Sequence, residues 1–376
     1  MVEKIDINNI EFYYKYIRSL LFDNLIIIII LILYFVFVKY TFVKKNKKFN
    51  YWIILYVFLI MLFYFLLNLL YRRFIYSNIR INECLDLTNN IIINKLLKPI
   101  ETKKEVLDKP IKEFIINSSH NTYIPCYQNI DSASCEAIKR TLVMGARVIE
   151  LDVYAKNNTG STDTDFEPIV AHGLERGKNK DLFTTSFVTF EDCIDTITTY
   201  GFLTSDPLIL CIENNTNKLL KTQEKMAKII INKLGSRLLH KDYKITTKEG
   251  KKYFVNEPIK NLLNKIIIIA GGGNQPVLEN LLDGTFGINN FLSNKSHKDV
   301  QESDNNLLQR VYPNGDIQGN FSLNYDPEPY WKKGFQIVAL NFGTVDRNLL
   351  KNANMFRYYS FIPKDDIIFT KNKTDI

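Results

Sequence analysis

Four short runs rich in β-branched residues each lead straight into polar side chains: Phe114-Ile115-Ile116, Val148-Ile149, Pro168-Ile169-Val170 and Leu208-Ile209-Leu210-Cys211-Ile212. Runs this short and this apolar suit strands buried on both faces, the condition of a parallel sheet covered by helices. The polar residues that follow them are Ser118-Ser119-His120-Asn121-Thr122-Tyr123, Glu150-Leu151-Asp152, His172-Gly173 and Glu213-Asn214. Side chains gathered at the C-terminal ends of successive parallel strands are how a β/α barrel builds a site. The expected fold class is therefore α/β, a TIM-type (β/α)8 barrel with room for distortion, in which all four runs are parallel strands.

The rest of the chain continues the alternation. Amphipathic helical patterns cover 134–144, 190–200 and 219–234, and further strands are expected at 266–269, 285–288, 307–311 and 335–342. Residues 25–38 are an unbroken apolar stretch, extended on both sides, and 51–70 form another that contains Asn68 but no charge. Each can supply the ~20 apolar residues of a bilayer span. Lys44-Lys45-Asn46-Lys47-Lys48 lies between them, so the pair reads as a two-helix transmembrane hairpin, spans 20–43 and 51–71, closed by a basic loop. A signal peptide is the competing reading of the first run; its length, its lack of a small-residue cleavage site and the second span that follows argue against it.

Charge bounds the partners only weakly. The formal net charge of +8 follows a Lys-rich composition, and no run interleaves basic and aromatic residues, so nucleic-acid binding is not inferred. The five cysteines, Cys84, Cys126, Cys135, Cys193 and Cys211, are odd in number and include no CxxC pair. They read as reduced thiols of a non-oxidising compartment. Lysines and arginines flank both spans on either side, so the positive-inside rule does not orient the hairpin; the cysteines favour a membrane protein whose large domain faces the cytosol.

The polar residues suggest their own chemistry. Glu150 and Asp152 are two apart on one strand and so point to the same side; with Glu213 and the amide oxygen of Asn121 they form an all-oxygen set suited to Ca2+. Two of the chain's four histidines, His120 and His172, fall beside them, where an imidazole can move protons in either direction near neutral pH.

Residues 110–364 resemble the catalytic X and Y halves of eukaryotic phosphoinositide-specific phospholipase C. The X half matches through the motif at 118–123, Gly145-Ala146-Arg147-Val148-Ile149-Glu150-Leu151-Asp152, Ile169-Val170-Ala171-His172-Gly173 and Pro207-Leu208-Ile209-Leu210-Cys211-Ile212-Glu213-Asn214. The Y half matches through Arg310-Val311-Tyr312-Pro313-Asn314-Gly315, Asn324-Tyr325-Asp326-Pro327-Glu328-Pro329-Tyr330-Trp331 and Gln336-Ile337-Val338-Ala339-Leu340-Asn341-Phe342. The resemblance implies cleavage of phosphatidylinositol or phosphoinositides to diacylglycerol and inositol phosphates through a cyclic phosphodiester. It implies Asn121, Glu150, Asp152 and Glu213 as calcium ligands, with Glu150 or Glu213 as general base. His120 would bond the pentacoordinate phosphorane, and His172 would protonate the leaving oxygen. Arg310, Tyr312 and, less directly, Ser293 would contact the headgroup. A catalytically inactive lipid- or protein-binding barrel, or a glycerophosphodiester phosphodiesterase, are the alternatives.

The departures from that family are specific. Two lysines that grip ring phosphates at the end of the fifth strand are replaced by Ile269 and Gly271. A polar insertion occupies 157–165, the link between halves shrinks to 271–277, and no EF-hand or C2 module is expected, nor any protein regulator. The expected organisation is a leading segment 1–19, the hairpin, a connector 72–109, the X half 110–270, the linker, the Y half 278–366 and a tail 367–376.

Overall fold

The computed structural model describes residues 56, 59–60, 63–64, 77–126, 133–156, 166–172, 174–176, 181–183, 186–216, 219–239, 254–271, 285–287, 292–298, 308–313 and 323–367. The leading segment, nearly all of the hairpin, the 157–165 insertion, Gly173, most of the 271–277 linker and most of the tail lie outside the described residues. Among the described residues no helix is long and apolar enough to cross a membrane. The chain divides into units 1–77 and 78–376.

Helix α1 spans Ser77–Ile93. Strand β1 (Phe114–His120), helix α2 (Cys135–Val143) and strand β2 (Val148–Ala155) follow. Four short strands come next: β3 (Pro168–Val170), β4 (Leu174–Arg176), β5 (Asp181–Phe183) and β6 (Val188–Thr189). Then come α3 (Phe190–Tyr200), β7 (Leu208–Asn214), α4 (Leu220–Leu234) and β8 (Ile266–Gly271). The last part contains β9 (Thr285–Gly287), β10 (Leu292–Ser296), β11 (Leu308–Tyr312), α5 (Glu328–Lys332), β12 (Ile337–Asn341), α6 (Arg347–Met355) and β13 (Phe361–Pro363).

Strands β1, β2, β7, β8 and β9 pair in parallel, as do β10, β11 and β12, and β12 pairs with β1 to join the two series. Eight parallel strands in chain order, with no β9–β10 pairing among the described residues, make a distorted TIM barrel. Strand periodicity sorts the core. Phe114, Ile116, Val148, Ile209, Cys211, Ile267, Ile269, Leu308, Ile337 and Ala339 form one buried cluster inside the barrel. Their sequence neighbours Ile115, Ile149, Leu210, Ile268 and Val338 belong to a second cluster, against Ile138, Ile194, Met226 and Leu349 of the helices.

Two expectations require correction. The run Pro168–Val170 pairs antiparallel with β2 and then with β6, so it is a hairpin partner and not a barrel strand. Its place among the eight is taken by β10, which the sequence did not reveal because Leu292-Ser293-Asn294-Lys295-Ser296 carries one apolar residue. The five cysteines are not all free thiols either: Cys84 of α1 and Cys126 of the loop after β1 are joined in a disulfide, leaving Cys135, Cys193 and Cys211 unbridged. Their separation of 42 residues matches no motif, so only folding brings them together.

The stretch after α1 belongs to the barrel unit. Leu96 and Lys98 donate backbone hydrogen bonds to Arg357 and Tyr358, and the Ile100 N–H reaches the buried Asp206 carboxylate at 2.7 Å.

Candidate active site

Strand parity decides which side chains enter the barrel. Glu150 and Asp152 share the parity of the interior Val148, Glu213 that of Cys211, Arg310 and Tyr312 that of Leu308, and His120 that of Phe114 and Ile116. Register then stacks them: Glu150 stands beside Cys211 and Ile269, and one layer nearer the strand ends Asp152 stands beside Glu213 and Gly271.

The turn after β1 is built onto β2. Thr122 donates its N–H to the Glu150 carbonyl at 3.1 Å, and its Oγ1 accepts the Glu150 N–H at 2.9 Å. Asn121, in the left-handed region at φ 43°, donates its N–H to Glu150 Oε2 at 3.2 Å. Asparagine enters that region more readily than branched residues because its short side chain bonds locally. On the other side of the strand ends, Gly343 lets the loop after β12 approach the loop after β1. A Cβ at Gly343 would lie 2.6 Å from Ile124 and Pro125 backbone atoms.

One ligand oxygen from each of Glu150, Asp152 and Glu213 can be chosen so that all lie within 4.8 Å of one another. Oxygens bound to one calcium at about 2.3–2.6 Å can be no farther apart than about twice that. Asp152 supplies a second sign of fit. Its Oδ2 accepts from the Tyr123 hydroxyl at 2.9 Å, whereas its buried Oδ1 has no hydrogen-bond partner among the described residues. An orphaned carboxylate oxygen beside two further carboxylates is a natural ligand for a hard cation.

The electrostatics agree with that geometry. Burial, then the Glu213 and Glu150 carboxylates, push Asp152 well above the usual carboxyl range. Burial pushes Glu150 up too, but Arg310 and then His120 outweigh it and hold this carboxyl below its ordinary value. Arg310 is itself buried, with Nη2 2.7 Å from Glu150 Oε1 and its guanidinium over the Tyr312 ring at 5.0 Å. His120 stacks on the other part of this group: its ring lies 5.8 Å from Tyr312 at an interplanar angle of 8°, and Nε2 is 3.8 Å from Glu150 Oε2. Burial lowers the His120 pKa, against the pull of Glu150.

The barrel thus brings together His120, Asn121, Glu150, Asp152, Glu213, Arg310 and Tyr312. His172 is half-buried and follows Ala171, whose N–H bonds the Asp152 carbonyl and whose carbonyl lies 3.1 Å from the Tyr123 hydroxyl. Ser293 lies on β10 as the register partner of Gln309, and its side chain is outside the described set. Sequence reasoning gave no role to Tyr123 or to Asn341, whose Oδ1 is 2.8 Å from His120 Nδ1. The parity of Ile337 and Ala339 on β12 was the available signal for Asn341.

A family model for the phosphatidylinositol-specific phospholipase C X domain matches residues 107–271, and one for the Y domain matches 286–364, together well over half of the chain. The chain belongs to the phosphatidylinositol-specific phospholipase C family. Relatives of this family include 1-phosphatidylinositol 4,5-bisphosphate phosphodiesterase 1 of Saccharomyces cerevisiae, 24% identical over 70% of this chain and 37% of the relative. The delta-3-A phosphodiesterase of Danio rerio is 27% identical over 66% of this chain and 37% of its own length. The human "inactive phospholipase C-like protein 2" is 26% identical over 68% of this chain and 27% of its own. The chain therefore spans between about a quarter and little more than a third of these relatives. The fold matches that of PLC21 from L. pealei with a TM-score of 0.53, 22% identity, and coverage of 68% of this chain and 37% of that one.

Proposed function

We propose that this phospholipase C relative is an active, calcium-dependent enzyme that cleaves the glycerol–phosphate bond of phosphatidylinositol or a phosphoinositide. The products are diacylglycerol and inositol phosphates, formed through a cyclic phosphodiester. One observation carries the reading: the buried Asp152 Oδ1 without a partner, inside a cluster of three carboxylates. A buried carboxylate oxygen left unsatisfied by the described residues is a group that a hard cation would satisfy, which favours the metal-dependent reading over a binding-only barrel.

Asn121, Glu150, Asp152 and Glu213 would hold the ion. Bound there, calcium lowers the pKa of the inositol 2-hydroxyl and offsets charge on the phosphoryl oxygens. Glu150 or Glu213 accepts the hydroxyl proton as oxygen attacks phosphorus. His120, in its doubly protonated form, donates from Nε2 to a phosphoryl oxygen, and His172 protonates the diacylglycerol oxygen as the P–O bond breaks, then takes a proton from the water that opens the cyclic ester. Arg310 and Tyr312 line the headgroup side, with Ser293 as a further contact.

The headgroup preference proposed is for unphosphorylated or singly phosphorylated inositol, because Ile269 is fully buried and Gly271 has no side chain where a basic pair would meet ring phosphates. We further propose that the two apolar N-terminal stretches anchor the enzyme in a membrane with the barrel on the cytosolic face. The Cys84–Cys126 disulfide removes the thiol argument for that side. The placement then rests on where the lipid substrate is found.

The test is release of diacylglycerol and inositol phosphate from phosphatidylinositol vesicles by the full-length chain. Calcium-dependent release that disappears in Asp152→Asn is expected. A folded protein that releases nothing at any calcium concentration would return the chain to the binding-only reading. Extraction of the protein from membranes by alkaline carbonate would refute the anchor.

A further inference from the structure

We propose that Asn341 is a positioning residue for His120, and that its amide oxygen commits the imidazole Nδ1 to carry a proton so that Nε2 is the atom turned to the cleft. The inference rests on the phospholipase C reading above. His120 and Asn341 are register partners on the adjacent strands β1 and β12. Both have interior parity, and Asn341 Oδ1 lies 2.8 Å from His120 Nδ1. An amide oxygen can only accept, so Nδ1 must donate, and the tautomer follows from the bond that the first nitrogen makes.

Asn341 is itself held from two directions. Its backbone N–H donates to Asn324 Oδ1 at 2.6 Å, and its carbonyl accepts from Asn324 Nδ2 at 3.1 Å. The Asn324 N–H in turn donates to Asp346 Oδ2 at 2.9 Å, and Asp346 Oδ1 caps the N-terminus of α6 through the N–H groups of Asn348 and Leu349. Asn341 is 1% exposed. A buried strand-end amide fixed on both backbone atoms leaves its side chain little freedom, and here that side chain meets the imidazole. On the opposite ring edge, Nε2 faces Glu150 Oε2 at 3.8 Å, and the ring face lies along Tyr312. Glu150 from β2, which pairs with Arg310 from β11, stands on the Nε2 side of the ring. On the Nδ1 side, Asn341 Oδ1 is the hydrogen-bond partner among the described residues.

The experiment compares full-length wild type, Asn341→Leu and Asn341→Asp on phosphatidylinositol vesicles with saturating calcium. Leucine nearly preserves size and removes the acceptor; aspartate keeps an oxygen in the same place. Asn341→Leu is expected to lower kcat about 100-fold with KM and calcium affinity unchanged, the scale of a misplaced catalytic group. Asn341→Asp is expected to recover most of that loss. Activity of Asn341→Leu within twofold of wild type, or equal losses in both variants, would overturn the assignment.

Should neither variant fold, the wild-type protein still decides. With only four histidines, 15N-imidazole spectra assigned through His120→Ala report which nitrogen is protonated. A protonated Nδ1 is expected, and an unprotonated Nδ1 would overturn the inference. Wild type without activity but with protonated Nδ1 would sink the enzymatic reading while leaving the geometry intact.

Discussion

The neighbouring walls of one barrel mouth are built to opposite rules. On β2 and β7, Glu150, Asp152 and Glu213 are set close together, and Glu150 is partnered by Arg310 and the Asn121 N–H, Asp152 by the Tyr123 hydroxyl. On β8, at the same register, stand Ile269 and Gly271, neither able to carry charge. Burying Glu150 and Asp152 beside the half-buried Glu213 is costly unless partners or a cation offset it, and the first wall accepts that cost. The second wall is ordinary core. The difference separates the two parts of the proposed function: the carboxylates proposed for cleavage line β2 and β7, and β8 offers no charged side chain to additional ring phosphates.

The largest effect should come from His172, the proposed proton donor. His172→Ala is expected to lower turnover of phosphatidylinositol by about 10²- to 10⁴-fold, read as diacylglycerol release, with little change in vesicle binding. Retained turnover would mean that the leaving oxygen is protonated from elsewhere.

Next is the support behind Asp152. Removing the hydroxyl in Tyr123→Phe frees Oδ2 and should weaken calcium affinity by about 10- to 100-fold, measured by calorimetry. An unchanged affinity would show that the carboxylate is oriented without it.

The pH dependence of the metal-free protein follows from the same residue. Asp152 titrates well above its unfolded value because of burial, Glu213 and Glu150. The folded state then holds a proton that the unfolded chain releases, so stability is fullest below the unfolded carboxyl pKa and is lost as pH rises through the folded one. Glu150, lowered chiefly by Arg310 against its burial, opposes this at the acid end. Thermal melts without calcium should fall as pH rises above the ordinary carboxyl range, and calcium or Asp152→Asn should flatten the trend. A melting temperature that climbs over that window would contradict the assignment.

The smallest effect tests the bare wall. Gly271→Lys adds one cation beside Glu213 and should raise relative turnover of the 4,5-bisphosphate by roughly tenfold, the value of about one charged hydrogen bond. No gain would place any phosphate contact elsewhere in the cleft.

Much of this was legible because burial on both faces writes itself as unbroken β-branched runs. Ile266–Ile269 and Ile337–Leu340 are strands for that reason, and the polar residues at the ends of β1, β2 and β7 are visible as interruptions. Pro168–Val170 shows the limit, since a buried hairpin strand and a barrel strand have the same composition and differ only in the connection before them. Strand β10, with one apolar residue, left no trace. Tyr123 and Asn341 were hidden for a different reason: each acts through a partner distant in sequence, Asp152 and His120, and only register places them together. The Cys84–Cys126 bond is of that kind too.

The most direct test of two unlike walls is a side-by-side measurement of kcat/KM for phosphatidylinositol and its 4,5-bisphosphate, using the full-length chain in mixed vesicles with and without calcium. The account predicts calcium-dependent cleavage in which the bisphosphate is no better a substrate than phosphatidylinositol. Preference for the bisphosphate by tenfold or more, with the β8 wall unaltered, would contradict it.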